Sequence, residues 1–339
     1  MGEKMTIRDI ARLSGVAPST VSRVLDDSQK ISAATKKRVM AVVEEYKYHP
    51  QTAARNLARN KTSAIGIVIS QEDMSLYSSS FFHEALNGIC GVLSQHGYDL
   101  IISSGGTTQV HTLDRLIGTS RIDGIILLRS VEHDANIRFL LEKKFPFVLI
   151  GSSLESEEIY SVDNDNVRAA YDLAVHLYKG GRRRIALVGG AENVVFIRKR
   201  LEGYRSFFAE KKLPLNPDFI KLGGGTEDAG YYAMKQLLEN TERPDAVMVM
   251  DDDLCVGVMK AVAERGVRVP EEMAVACFND SAYTKYSKPS LTTVSLGFYE
   301  LGASAARLLL QVLDGVPAAK GCRYVGHLIT ARESTKPLV

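Results

Sequence analysis

Residues 6–25 read TIRDIARLSGVAPSTVSRVL. Ile7, Ile10 and Ala11 fall on one helical face, and Thr6 with Asp9 has the spacing of an N-cap and its capping-box partner. Ser14-Gly15 interrupts this helix, and Gly15 suits a position that needs positive φ. A second short helix is expected from about Pro18, a favourable first-turn residue, with Val21, Val24 and Leu25 turned inward. The spacing of Ala11, Gly15 and Val21 lets the two helices meet closely. That leaves Ser19, Thr20, Ser22 and Arg23 pointing outward. Short hydroxyls and an arginine suit phosphate contacts and base-edge reading in a major groove. A third helix, Ser32 to about Tyr46, would pack Val39, Val42 and Val43 and show Lys36, Lys37 and Arg38 near its start. The alternative is a generic three-helix bundle with an ordinary polar surface.

Next comes HPQTAARNLARNKT, residues 49–62. Ala53, Ala54, Leu57 and Ala58 make a thin apolar stripe with Arg55 and Arg59 beside it. The stripe itself, residues 53–58, is shorter than the ~12–15 residues of even a marginal isolated helix, so it should coil only when something pairs with it. A second copy of the chain and a DNA groove could both serve. Leu57 would then be an apolar wedge that opens the minor groove between base steps. The competing reading is a plain linker whose Leu57 packs on a neighbouring domain.

The charge distribution fits a distinct head. The 339-residue chain carries a formal charge of +2, but residues 1–60 hold 11 Lys/Arg against 6 Asp/Glu, and the remainder holds 31 against 34. A small cationic head on a mildly anionic body suggests a polyanion partner for the head alone, although charge by itself suits a solvated basic face equally well. Length and a 45% hydrophobic content allow two or three domains with a sizeable core, and exclude a disordered or disulfide-scaffold protein. The charged start and the lack of any long apolar run argue against a signal peptide or membrane span. Cys90, Cys255, Cys277 and Cys322 form no CxxC pair, so reduced thiols in the cytoplasm are the simplest expectation.

From Ala64 the pattern becomes strand–helix alternation. AIGIVIS, YDLIISS, DGIILL and PFVLIG look like buried strands separated by helices near 82–96, 109–119 and 134–143. A second series follows: helix 166–179, RIALVGG, helix 197–211, DFIKLG, helix 226–239, DAVMVM, helix 252–265 and MAVACF. LTTV, a helix at 298–314 and YVGHLI finish the chain and are expected to cross back, making each lobe discontinuous. The fold class is therefore α/β: a three-helix helix-turn-helix head and hinge helix, then a two-lobed body of two doubly wound parallel sheets.

Ligands of such sheets bind at the carboxyl ends of the strands. The candidates there are Ser103 and Ser104, Arg129, Ser152, Asp163 and Asp165, Asp251 and Asp252, and Asn279 and Asp280, with Arg198 and Arg200 on or before a helix facing the same cleft and Phe81, Phe82, Phe196 and Phe278 nearby. Carboxylates and arginines can hold vicinal hydroxyls, and aromatic faces cover the C–H side of a sugar ring. Each residue taken singly could equally be a cap, core or surface group. The Gly-rich turns at 104–108, 188–193 and 222–226 give neither phosphate-binding glycine signature. No catalytic triad or metal-like histidine pair is visible, and neither cofactor nor metal is expected.

TIRDIARLSGVAPSTVSRVLDDSQKIS, TKKRV and YHPQTAARNLA, followed by AIGIVIS and, far downstream, KPSLTTV and ARESTK, resemble the LacI/GalR family of repressors along nearly the whole chain. Within that family, FPFVLIGSSL, SVDNDNV and GGAENVVFIRKRLEGY are most similar to the maltose-operon repressors of Gram-positive bacteria. The resemblance implies a homodimer, a DNA-dependent hinge helix and a periplasmic-binding-protein-like body that senses a small molecule. It implies that Pro18, Ser19 and Arg23 read bases, that Leu57 intercalates, and that Arg200 holds sugar hydroxyls. Asp251 stands where the family often has Asn, and Asn279-Asp280 reverses the common Asp-Asn order. No apolar heptads follow Arg332, so a tetramerising coiled coil is not expected.

The expected domains are 1–48 (head), 49–61 (hinge), 62–161 plus 294–320 (first lobe) and 162–293 plus 321–339 (second lobe). Candidate DNA contacts are Thr6, Pro18, Ser19, Thr20, Ser22, Arg23, Arg55, Asn56 and Leu57. The expected function is a cytoplasmic repressor of sugar-utilisation genes, released from double-stranded, pseudo-palindromic operator DNA by a sugar such as maltose or a maltodextrin. Its alternatives are a regulator that answers to another sugar or to a corepressor, and a cytoplasmic sugar-binding enzyme.

Overall fold

The computed structural model describes residues 5–25, 27–48, 61–69, 77, 79–104, 108–156 and 158–336. The chain divides into two compact units, Met1–Thr62 and Ser63–Val339.

In the first unit α1 spans Ile7–Ser14, α2 Pro18–Leu25 and α3 Ala33–Glu45. Thr6 caps α1 as its spacing predicts: its hydroxyl accepts from the Asp9 amide, and its own amide donates to the Asp9 carboxylate at 3.0 Å. Gly15 ends the helix in the left-handed region at φ 65°. Ser32 caps α3 through the Thr35 amide. Ile10, Ala11, Val21, Val24, Val39 and Tyr48 form the buried core, with Leu25, Val42 and Val43 half-buried around it.

The second unit holds two six-stranded sheets. β1 (Ala64–Ile69), β2 (Asp99–Ser104), β3 (Gly124–Leu127), β4 (Phe147–Ile150) and β5 (Tyr160–Asn164) belong to the first, joined by β11 (Gly321–Val325) in the order β11-β5-β4-β3-β1-β2. Every pairing in this sheet is parallel. β6 (Ile185–Gly189), β7 (Ile220–Leu222), β8 (Ala246–Val249), β9 (Ala274–Phe278) and β10 (Thr292–Ser295) belong to the second, with β12 (Leu328–Thr330) antiparallel on β10 at its edge. The helices of this unit are α4 (Ser80–Gln95), α5 (Gln109–Gly118), α6 (Ala135–Glu142), α7 (Asn166–Lys179), α8 (Val195–Glu210), α9 (Glu227–Glu239), α10 (Asp252–Glu264), α11 (Ala282–Tyr286) and α12 (Phe298–Leu313). Central strands such as β1 are buried at every residue, as expected where helices cover both faces.

The chain crosses between the sheets three times, after Asn164, Ser295 and Val325. These crossings shift the expected lobe limits. Residues 160–164 and 321–325 pair with each other in the first sheet, while β10 at 292–295 belongs to the second. YVGHLI is thus not one strand. Gly326 and His327 separate its two halves, which join different sheets. β5 escaped the sequence pattern because its buried residues include Asp163 and Asn164.

The ARESTK and KPSLTTV segments are each other's partners. Arg332 donates to the Leu291 carbonyl at 2.7 Å and to Asp280 at 2.6 Å, and Glu333 accepts from the Ser290 amide and hydroxyl at 2.9 Å each. Asp280 is thereby drawn into this clamp. Burial works against its ionised form, but the bonds from Arg332 and Thr293 hold its carboxyl below the usual range.

Candidate functional site

The carboxyl ends of the strands from both sheets converge on a cleft of about 530 Å³. Arg200, on α8, lines it and is 4% exposed. Its Nε donates to Asn166 Oδ1 at 2.9 Å and its Nη1 to the Met250 carbonyl. The guanidinium carbon sits 3.9 Å from the centre of the Phe278 ring and 4.8 Å from that of Phe196. Two aromatic faces and fixed acceptors hold the planar cation in one orientation. Burial pulls its pKa down to about 10, opposed by Asp251, Asp163 and Asp252, so it stays charged at neutral pH.

From the first sheet comes Asp163, which accepts from the Ser152 hydroxyl at 2.6 Å and from Asn166 Nδ2 at 3.0 Å. Burial raises its pKa, and the Ser152 hydrogen bond opposes the rise. Ser152 is positioned in turn by its carbonyl, which accepts from the Ser130 hydroxyl at 2.5 Å. The opposite wall is the start of α10. Asp251 caps this helix by accepting from the Asp253 amide at 3.0 Å. Asn279 Nδ2 donates to Asp252 at 2.9 Å and, more distantly, to Asp251 at 3.4 Å. Asn279 holds φ 72°, a conformation that asparagine tolerates better than most side chains. Burial first, then Asp252 and Asp253, pushes Asp251 up to about 7, while burial, Asp252 and Glu227 push Asp253 up to about 6. The three carboxylates lie within 4.8 Å of one another, close enough to share a cation. Their place at a helix N-terminus, where amides and the helix dipole favour negative charge, accounts for them without one.

Contacts among the described residues join the lobes at the rims. Ser80 Oγ donates to Asp252 at 3.1 Å, Arg198 pairs with Glu132 at 2.8 Å, and Val131 and Val194 form an antiparallel bridge.

Among the residues singled out from the sequence, Phe81, Arg129, Ser152, Asp163, Arg200, Asp251 and Asn279 line the cleft. Phe278 stands behind Arg200 and stacks on it. Three others are corrected. Phe82 points into the first lobe's core and packs edge-on against Tyr77; Phe81, one residue earlier, faces the cleft and packs on Phe298. Ser103 lies on β2 at the sheet edge and accepts from Arg115 at 3.1 Å, away from the cleft. Arg198 is half-exposed on the rim, where it serves the ion pair with Glu132. The sequence reading missed Asn166, which bridges Arg200 and Asp163, and also Asn164, Asn193, Thr226 and Phe298, which all line the cleft. SVDNDNV contains the first two, and Asn193 sits in the Gly-rich turn after β6.

In the head, Pro18, Ser19 and Arg23 are exposed on α2, and Thr20 and Ser22 are half-exposed beside them. Thr6 is exposed at the α1 cap. Arg55, Asn56 and Leu57 lie outside the described residues. No helix among the described residues is long and apolar enough to cross a membrane.

A helix-turn-helix head and a two-lobed body whose cleft presents one rigid cation, several carboxylates and aromatic faces define a ligand-sensing regulator of transcription. Comparison with known proteins makes the class specific. Residues 6–51 match the family profile "Bacterial regulatory proteins, lacI family", and residues 174–335 match "Periplasmic binding protein-like domain". The chain is 31% identical to catabolite control protein A of Priestia megaterium, over 98% of this chain and 99% of that protein. It is 33% identical to the regulator MalR of Streptococcus pneumoniae, over 91% and 93%. A solved complex of the transcriptional regulator CelR with cellobiose superposes with a TM-score of 0.77, at 27% identity, over 97% of this chain and 99% of that one. The chain belongs to the LacI family: it is a DNA-binding transcriptional regulator and not an enzyme.

Proposed function

We propose that this regulator is a cytoplasmic homodimeric repressor released from a pseudo-palindromic operator by a small sugar, maltose or a maltodextrin. The observation that carries the reading is the guanidinium of Arg200, flanked by Phe196 and Phe278, with the carboxylates of Asp163 and Asp251 near it in the cleft. Such a site offers charge-assisted donors and acceptors to hydroxyl groups, with Phe81 and Phe298 for the apolar side of a ring. The resemblance of FPFVLIGSSL, SVDNDNV and GGAENVVFIRKRLEGY to the maltose-operon repressors supports maltose. Cellobiose is the second reading, favoured by the CelR–cellobiose complex.

In the head, Thr6, Pro18, Ser19, Thr20, Ser22 and Arg23 are the proposed DNA contacts, with the recognition helix α2 in the major groove. Arg55, Asn56 and Leu57 are assigned to the hinge, which coils in the minor groove when two copies pair there. Sugar that changes the relation between the lobes would separate the paired hinges. A coupling of ~1–3 kcal/mol suffices for a ~5–150-fold change in operator affinity.

Calorimetry and thermal-shift measurements with maltose, maltotriose, cellobiose, glucose, galactose and hypoxanthine test the effector. Saturable binding of maltose or maltotriose, with a matching rise in Tm, is the expected result. A response to cellobiose alone moves the assignment to the second reading. Binding confined to hypoxanthine overturns the sugar class.

A further inference from the structure

Asn164 ends β5 at the first crossover, is 2% exposed and lines the cleft. Its carboxamide makes two bonds of equal length: Nδ2 donates to the Leu296 carbonyl at 2.9 Å and to the Val325 carbonyl at 2.9 Å. Leu296 lies on the second crossover, and Val325 is the last residue before the third. One side chain therefore binds all three connections between the lobes.

The same residue is tied to the ligand wall. Its amide donates to Asp163 Oδ1 at 2.8 Å, and its carbonyl accepts from Asn166 Nδ2 at 3.2 Å. Asn166 is the residue that receives Arg200 Nε. A continuous hydrogen-bonded path thus runs from the buried cation of the cleft, through Asn166, to the pivot of the lobes. The surroundings of the crossovers are built for rotation about that pivot. Gly297 sits between Leu296 and Phe298 in the left-handed region at φ 62°, and Gly326 follows Val325. Both of the carboxamide's donor hydrogens are spent on carbonyls that only an N–H or O–H can satisfy, and an unmade bond at so buried a site is costly.

We propose that Asn164 is the positioning residue that makes the three crossovers turn as one hinge and converts occupancy at Asp163 and Arg200 into a relative rotation of the lobes. The assignment rests on the effector reading above for its second half, and on the geometry alone for its first.

The test uses the full-length chain carrying Asn164→Leu, which keeps side-chain volume and loses both donors. Asn164→Asp, which can offer at most one hydrogen, is a second variant should the first fail to fold. Amide hydrogen exchange needs no effector: exchange in 164–166, 296–298 and 325–327 should rise together by about tenfold or more, with the interiors of β4 and β8 unchanged. A rise confined to 164–166 overturns the common hinge. The second measurement is the ratio of operator Kd with and without saturating maltose, using operator DNA selected from random duplexes. With maltose raised to saturate each chain separately, the ratio should fall by at least threefold in the variant, while operator binding without maltose stays within about threefold of the parent. A merely structural role would lower Tm and leave that ratio intact, and that result overturns the coupling role. If the parent chain binds no sugar, the effector reading and the coupling role that rests on it both fail, and the exchange experiment still decides the hinge.

Discussion

The Nε of Arg200 donates to Asn166 Oδ1 at 2.9 Å, and this bond links the second lobe to the connection that enters it. Arg200 has no freedom to swing aside, because Phe278 and Phe196 flank it and the Met250 carbonyl accepts from Nη1. Arg200→Lys keeps a positive charge but loses the planar fork and the stacking. It should weaken maltose binding by ~1.5–3 kcal/mol, about 10–150-fold, as expected for loss of a charge-assisted hydrogen bond. Operator affinity without sugar should stay within about threefold. Calorimetry and fluorescence anisotropy check the two halves.

The acidic wall predicts a pH effect of defined sign. The pKa of Asp251 in the native state, about 7, lies above the ordinary carboxylate value. Between pH 8 and pH 5 the native state therefore takes up more protons at this residue than the unfolded chain does, and stability at this site rises as pH falls. Asp251→Asn removes the charge while retaining an acceptor for the Asp253 amide. It should raise Tm at pH 8, by about 2–4 °C for each kcal/mol of repulsion relieved, and give little or no gain at pH 5.5. Paired thermal melts at the two pH values read this difference.

Helices α9 and α10 pack with no room for a methyl group. A Cβ on Gly257 would lie 1.8 Å from the Glu227 carbonyl oxygen and 2.6 Å from the Tyr231 amide nitrogen. Gly257→Ala must part the two helices and should cost ~3 kcal/mol or more, with several degrees of Tm. Gly118→Ala, at the end of α5 with nothing within 4 Å of the new methyl, should be neutral or slightly stabilising. Denaturant unfolding of the two variants gives the comparison.

Leu57 belongs to the proposed hinge and is tested through DNA. Leu57→Ala removes most of the apolar wedge and should weaken selected-operator binding by ~2 kcal/mol or more, about 30-fold, while maltose affinity is unchanged. Equal operator affinity in the variant removes the wedge from the mechanism.

Much of this architecture is legible in the sequence because local chemistry marks the element ends. Thr6 with Asp9, Gly15 and Ser32 bound the head helices by capping and left-handed turns, and the same bonds are present in the structure. The helix at 166–179 is found at the limits its pattern gives. What stayed hidden depends on tertiary geometry. Arg198 and Arg200 are two residues apart, about 200° around a helix, so they face a rim and a cleft respectively. Ser103 is the last residue but one of its strand, as Asp163 is, but β2 lies at the edge of its sheet, and strand order cannot be read from a strand's own residues. Asn164 and Asn166 look like ordinary polar residues around the start of a helix. Their importance comes from partners more than 30 positions away, Leu296, Val325 and Arg200.

In the proposed mechanism, sugar in the cleft loosens the grip of the head on DNA. Fluorescence anisotropy of the full-length chain on operator DNA selected from random duplexes, with and without saturating maltose, tests it most directly. Maltose should raise the operator Kd by ~5–150-fold. An operator Kd that is unchanged or lowered, under conditions where calorimetry shows the cleft occupied, would contradict it.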